Sequence, residues 1–209
     1  MEFLRMHPAD QIVEMMNRIY GGGMTTTSGG NLSIMNEAGD VWITPSGIDK
    51  GSLTRADIMQ VKPDGTIIGP HRPSVELKFH QDIYRLRPEI KAVLHAHPSA
   101  LVAFSLVGRG PETRMSPDYY RLGGRIGVVG CETPGSDALK ERLSKAFSEG
   151  YDTIVMENHG VVLGGADLME AFLRFETLDF CARTGIYARK MGASYSLCCA
   201  TAGFLCCYS

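Results

Sequence analysis

The sequence predicts an α/β protein: one domain in which helices alternate around a mixed or largely antiparallel sheet. Three observations carry this. Short apolar runs of strand length crowd the middle of the chain, from "NLSIM" through "IKAVLHAH" to "GVVLG". Longer segments with apolar residues every three or four positions alternate with them. A "PDG" turn joins two of the short runs as a hairpin rather than through a helical crossover. Both periods occurring in one chain of 209 residues fit a single layered domain.

The elements follow in order. Residues 8–20, "PADQIVEMMNRIY", space Ile12, Val13, Met16, Ile19 and Tyr20 along one helical face, and "GGG" stops the helix. Strands are expected at "NLSIM", "DVWITP", "DIMQVKP" and "TIIG". Residues 75–87, "VELKFHQDIYRLR", form a helix with Phe79, Ile83 and Leu86 inward, ended by Pro88. "IKAVLHAH" reads as a buried strand, "SALVAFSLV" as a short apolar helix and "RIGVVG" as the next strand. "GSDALKERLSKAFSEG" is a helix capped by Ser136, with Leu139, Leu143 and Phe147 inward and Gly150 as its stop. Strands "TIVMEN" and "GVVLG" flank His159. The last helix runs from about Asp167 to Met191, with Asp167 and Glu170 at capping-box spacing.

Composition bounds the partners. A formal net charge of -2 gives no global attraction to nucleic acid or anionic membrane. No apolar run reaches the ~18 residues of a membrane span. The N-terminus "MEFLRMHPADQIVEMM" lacks the apolar core of a signal peptide, so a cytoplasmic protein is expected. Of the six cysteines, Cys131 and Cys181 are isolated and four lie in "SLCCATAGFLCCYS". Paired CC steps without His or CxxC do not make a zinc site. The domain is therefore placed at 1–192. The Cys-rich tail 193–209 admits three readings, an ordered tail, a disordered end or a frameshift product, and no function is placed there.

The histidines carry the chemistry. Side chains alternate along a strand, so His95 and His97 of "VLHAHP" point the same way. Two imidazoles on one strand face can grip one metal ion, and His159 of "ENHG" is the natural third ligand. The other reading has His95 and His97 as strand-end residues bonded to backbone or water. Glu76 sits where a helix begins, which suits a first-turn carboxylate as well as a ligand. His80 lies one turn on, as a packed residue or a support to the site. His7 and His71 are expected at the surface. Two loops, "TTTSGGNLS" (Thr25 to Ser33) and "TPSG" (Thr44 to Gly47), offer backbone N–H groups and hydroxyls to an anion. Each loop also reads as an ordinary turn.

Taken together, "SGGNLS", "TPSG", "RPSVE", "VLHAHP" and "ENHG" in this order resemble the class II aldolase/adducin family, over about residues 8–192, with the L-fuculose-phosphate aldolase branch the most similar. The resemblance implies a three-layer α/β/α domain around a mainly antiparallel sheet. It also implies a homotetramer with active sites at subunit interfaces. It implies a divalent ion, usually zinc, on His95, His97 and His159, with Glu76 both coordinating the resting ion and serving as acid/base. The phosphate cradle it implies is Gly30, Asn31, Ser46, Gly47 and Ser74. Val75 stands where the aldolases often have a second Ser, which removes one phosphate hydroxyl. A tyrosine of a neighbouring subunit protonates the aldehyde oxygen in the aldolases; Tyr119 and Tyr120 are the candidates here. The Cys-rich end does not resemble the segment with which the aldolases close their site.

The activity implied is metal-dependent cleavage of a ketose phosphate to glycerone phosphate and an aldehyde, through an enediolate whose charge the ion stabilises. The same scaffold serves sugar-phosphate 4-epimerases, methylthioribulose-phosphate dehydratases and decarboxylases. Epimerases tend to carry Asp at the position of Glu76, so Glu76 favours cleavage. An adducin-like interaction module has lost the metal residues that this chain retains.

Overall fold

His7 begins the first helix, and its Nδ1 accepts the Ala9 N–H at 3.2 Å. Pro8 follows in the first turn, where a missing N–H costs nothing. This helix, α1 (Pro8–Gly21), buries Ala9, Ile12, Met15, Met16 and Ile19. Met15 replaces Tyr20 on the expected face; the Tyr20 ring is exposed and lies over Gly51. The computed structural model describes residues 2–192 apart from 115 and 116, so the Cys-rich tail lies outside the described residues.

The strands are β1 (Asn31–Met35), β2 (Val41–Ile43), β3 (Met59–Val61), β4 (Ile67–Ile68), β5 (Ala92–Ala96), β6 (Ile126–Val129), β7 (Thr153–Met156) and β8 (Gly160–Gly165). They form one open sheet in the order β4-β3-β2-β1-β5-β8-β7-β6. Every pairing is antiparallel except β6 with β7. The "PDG" turn joins β3 to β4 as expected, with Gly65 at φ +86.

The remaining helices are α2 (Leu77–Leu86), α3 (Ser99–Leu106), α4 (Pro117–Leu122), α5 (Asp137–Ser148) and α6 (Leu168–Lys190). The sheet separates two apolar cores. Ile12, Met15, Leu32, Leu94, Leu163 and Phe175 pack on the face covered by α1, α3 and α6. Phe79, Ile83, Val93, Leu143, Phe147 and Val162 pack under α2 and α5. This is the expected three-layer arrangement. Burial on both faces explains why β5, β7 and β8 read as near-continuous apolar runs.

Caps agree closely with the sequence. Ser136 Oγ accepts the Leu139 N–H at 3.1 Å and Asp167 accepts the Glu170 N–H at 2.8 Å. The Glu170 carboxylate accepts from Ala166 N rather than Asp167 N, so the capping box is displaced by one residue. In α2, Tyr84 is buried while Leu86 is half-buried, and the helix starts after Glu76, which is its N-cap. The short helix α4 carries no expected element, because six residues are too few to show a helical period. Phe147, fully buried at the end of α5, sets a test of this layer. Phe147→Ala should lose about 3–5 kcal/mol in urea unfolding.

Candidate metal centre

Strand β5 lies between β1 and β8, with His95 opposite Asn31 on one side and Val162 on the other. Alternation sends Val93, His95 and then His97 toward the α2/α5 face. His159 sits in the β7–β8 turn, where Asn158 adopts φ 57 and the His159 N–H bonds Met156 O at 3.2 Å. The three imidazole centroids are 4.5, 4.8 and 5.1 Å apart. One nitrogen from each ring lies within 4.8 Å of the others. Gly160 makes this approach possible. A Cβ there would stand 2.6 Å from both Ala96 O and His97 Cδ2.

Glu76 is 4% exposed and makes no capping bond to its own helix. Its backbone N–H bonds Ser74 Oγ at 3.3 Å, and its Oε2 accepts the Asn31 Nδ2–H at 2.6 Å. The same Oε2 stands 3.3 Å from His95 Nε2. An ion pair between them would require an imidazolium. Burial, however, pushes His95 down to about 3, so the ring is neutral at pH 7. His95 Nδ1 lies 2.9 Å from the Val161 carbonyl, which only accepts, so Nδ1 carries the hydrogen. Nε2 therefore presents a lone pair to a carboxylate oxygen. Two acceptors facing each other in a buried site are the arrangement that a cation between them satisfies.

The other donor atoms fit the same group. Glu76 Oε1, His97 Nε2 and His159 Nδ1 are buried without a hydrogen-bond partner. Burial also holds His97 down at about 3 and lowers His159, so all three rings are in the neutral form that a divalent ion requires. The resting charge of such a site would come from Glu76.

His80 is fully buried; it packs as expected, its ring stacked on Phe79 with centroids 4.6 Å apart, and it also hydrogen-bonds two residues of β1. Its Nε2 lies 2.6 Å from Asn31 Oδ1 and its Nδ1 lies 2.7 Å from Ser33 Oγ. Ser33 Oγ in turn lies 2.6 Å from Tyr84 Oη. His7 and His71 are half-buried rather than free: His7 caps α1, and His71 bonds Asp57 at 2.8 Å.

The two glycine loops meet where the Thr44 N–H bonds Leu32 O at 3.1 Å, and the second loop also pairs with the segment before Glu76. Pro45 and Pro73 form an antiparallel bridge, Ser46 N–H bonds Arg72 O at 2.9 Å, and Ser74 N–H bonds Thr44 O at 3.2 Å. Gly30 at φ +70 and Gly47 at φ +71 supply left-handed turns. Gly30, Asn31, Ser46, Gly47 and Ser74 thereby line one cavity of about 160 Å³ with Glu76, His95, His97 and His159. Val75 stands 63% exposed in its wall. Lys50, which sequence reasoning missed, lines it too. Tyr119 packs against Phe180, centroids 6.0 Å apart, and does not line this cavity in its own chain. The Tyr120 side chain lies outside those described.

The profile of the Class II Aldolase and Adducin N-terminal domain matches residues 10–186. The chain belongs to the class II aldolase/adducin family. A 3-oxo-tetronate 4-phosphate decarboxylase of Haemophilus influenzae is 32% identical over 176 residues, covering 82% of this chain and 83% of that one. An L-fuculose phosphate aldolase of Methanococcus maripaludis is 31% identical, covering 81% and 91%. A solved L-fuculose 1-phosphate aldolase superposes with a TM-score of 0.80 at 26% identity, covering 91% and 90%. Class II aldolases are metal-dependent, and the His95, His97 and His159 group can hold the ion.

Two outcomes test this centre. Gly160→Ala should displace His97 and weaken zinc binding by at least tenfold in a chelator competition, with the fold retained by circular dichroism. The metal-free protein should also lose stability in acid. His80, His95 and His97 bind protons near 6.5 when unfolded but only near 3 when folded. Below about pH 6.5 the unfolded chain takes up protons that the folded chain refuses, so stability falls toward pH 3. Each histidine can contribute up to about 1.4 kcal/mol per pH unit. A melting temperature unchanged between pH 7.5 and 5 would contradict the buried neutral cluster.

Proposed function

We propose that this protein is a metal-dependent aldolase that cleaves a ketose phosphate, of the L-fuculose-1-phosphate kind, to glycerone phosphate and an aldehyde. The observation that carries this reading is the buried lone pair of His95 Nε2 facing Glu76 Oε2 at 3.3 Å, beside unpartnered atoms of His97 and His159. When bound, zinc would act as a Lewis acid that polarises the substrate carbonyl and stabilises negative charge beside it. His95, His97 and His159 would hold it.

Glu76 is the proposed acid/base. Its Oε1 has no partner and its Oε2 is anchored by Asn31, so one oxygen is held while the other is available for a proton. In cleavage, one proton moves overall from the hydroxyl of the departing fragment, which becomes a carbonyl, through the acid/base groups to the carbon left behind. The carbon–carbon bond breaks, and its electron pair stays on the three-carbon phosphate fragment, to which Glu76 delivers a proton. Gly30, Asn31, Ser46, Gly47 and Ser74 would hold the phosphate and so place the breaking bond. Asn31 Oδ1 is engaged by His80, which leaves its second Nδ2 hydrogen for this task.

The tyrosine that protonates the aldehyde oxygen would come from a second copy, since Tyr119 does not line the cavity of its own chain. Self-association as a homotetramer is supported by an exposed stripe on α6: Leu173, Phe180 and Tyr187 repeat every seven residues at 42, 59 and 60% exposure. No described helix is long and apolar enough to cross a membrane, and a cytoplasmic enzyme is proposed.

Decarboxylation is the second reading, favoured by the 32% identical relative. Removing the carboxyl carbon of a 3-oxo-tetronate 4-phosphate also leaves glycerone phosphate. Release of that product alone therefore decides nothing, and the other fragment must be followed. The zinc-loaded protein, offered a panel of ketose phosphates, should release an aldehyde. Carbon dioxide from the oxo-acid phosphate with no aldehyde from any ketose would replace aldolase by decarboxylase. Glu76→Gln should keep its zinc, bind substrate and lose about 10²–10⁴ in turnover. Loss of zinc from that variant, with full rate on reconstitution, would make Glu76 a ligand only.

A further inference from the structure

Lys50 is a buried cationic side chain that the metal centre does not account for. It is 1% exposed, yet no carboxylate stands within ion-pair distance of it among the described residues. Its Nζ donates to Pro45 O at 2.7 Å, its one side-chain hydrogen bond among the described residues, and the neighbouring Asp49 acts on it only through space. Two of its three N–H groups thus have no acceptor among the described residues. An unpaired buried ammonium is costly, and natural cores avoid it unless something compensates.

Its position says what compensates. Lys50 lies in the wall of the cavity that holds Ser46, Gly47, Ser74 and the histidines, and it is the one Lys or Arg among the described residues there. Pro45, whose carbonyl holds Nζ, directly precedes Ser46 and Gly47. The Lys50 N–H bonds Thr27 O at 2.7 Å, which ties this residue to the other glycine loop as well. Lys50 is therefore built into the junction of both anion loops. Val75 offers no hydroxyl at the same cavity.

We propose that Lys50 is the charge partner of the substrate's phosphate, supplying at the cradle floor the interaction that Val75 cannot. This rests on the phosphorylated-substrate reading above. The ammonium is a specificity element: it selects a dianionic end group over a free hydroxyl and orients it against the Ser46–Gly47 turn. Burial lowers the Lys50 ammonium to about 8, and a bound dianion would reverse that shift. A purely structural lysine, serving only to cap Pro45 O, would gain nothing from an anion.

The test is binding of inorganic phosphate to the zinc-loaded protein by calorimetry. Lys50→Met should weaken phosphate at least tenfold, with zinc content unchanged and the melting temperature of the phosphate-free protein unchanged or raised. Lys50→Arg should recover part of the loss. Wild-type affinity should fall about tenfold per pH unit above pH 8, while Lys50→Met stays flat. This pH profile stands even if Lys50→Met does not fold. Flat wild-type affinity from pH 7.5 to 9.5 overturns the proposal. So does Lys50→Met binding phosphate within twofold of wild type while Ser74→Ala weakens it, which would leave the phosphate reading intact. The same follows for phosphate held on the ion alone, which would not respond to Lys50. Absence of any phosphate binding to the wild type overturns both this proposal and the phosphorylated-substrate reading.

Discussion

The hydrogen bond from Asn31 Nδ2 to Glu76 Oε2, 2.6 Å long and buried, ties the central sheet to the start of α2. It also sets the direction of every hydrogen bond behind it. A carboxylate only accepts, so the amide nitrogen of Asn31 must face Glu76 and its Oδ1 must face His80. An amide oxygen only accepts, so His80 Nε2 carries the ring's hydrogen. Burial holds His80 at about 3, hence neutral, and its Nδ1 must accept from Ser33. Ser33, having donated, accepts from Tyr84, whose hydroxyl burial keeps protonated. One line of donors thus runs from Tyr84 to Glu76 with no free choice. Removing any buried member leaves a partner unsatisfied, at about 1–3 kcal/mol each. Glu76 and the packing of α2 on β1 are therefore a single structural unit.

The features legible in the sequence are those with local periods. His95 and His97 share a face because a strand alternates every two residues, and the structure keeps their rings 4.5 Å apart. Ser136, Asp167 and Gly150 mark helix ends because caps need particular side chains at fixed offsets. The registers that bring the pieces together have no local signature. Asn31 opposite His95, and Pro45 bridged to Pro73, arise from pairings between distant segments. His80 looked like a packing residue because its partners lie 47 and 49 positions away in the chain. Lys50 escaped notice for the same reason: nothing near it in sequence distinguishes a buried lysine from a solvated one. The family motifs bridged part of this gap, since their order already encodes which loops converge.

The division of charge within the cavity bears on which reaction it serves. Aldol cleavage and decarboxylation would leave the same three-carbon phosphate, so the histidine cluster, Glu76 and the glycine loops suit both. They differ in what the substrate carries at its other end: a hydroxyl that leaves within a neutral aldehyde in one case, and a carboxylate that leaves as carbon dioxide in the other. An oxo-acid phosphate brings two anionic ends into the site. Beyond the ion, the described lining offers one cation, Lys50, and it belongs to the phosphate end. Val75 and Pro134 contribute an apolar wall to the same cavity. A carboxylate against that wall would lose hydration without gaining a partner, whereas a carbonyl-bearing alkyl chain would not. Among the described residues, this charge balance is the argument for the proposed aldol cleavage over the proposed decarboxylation.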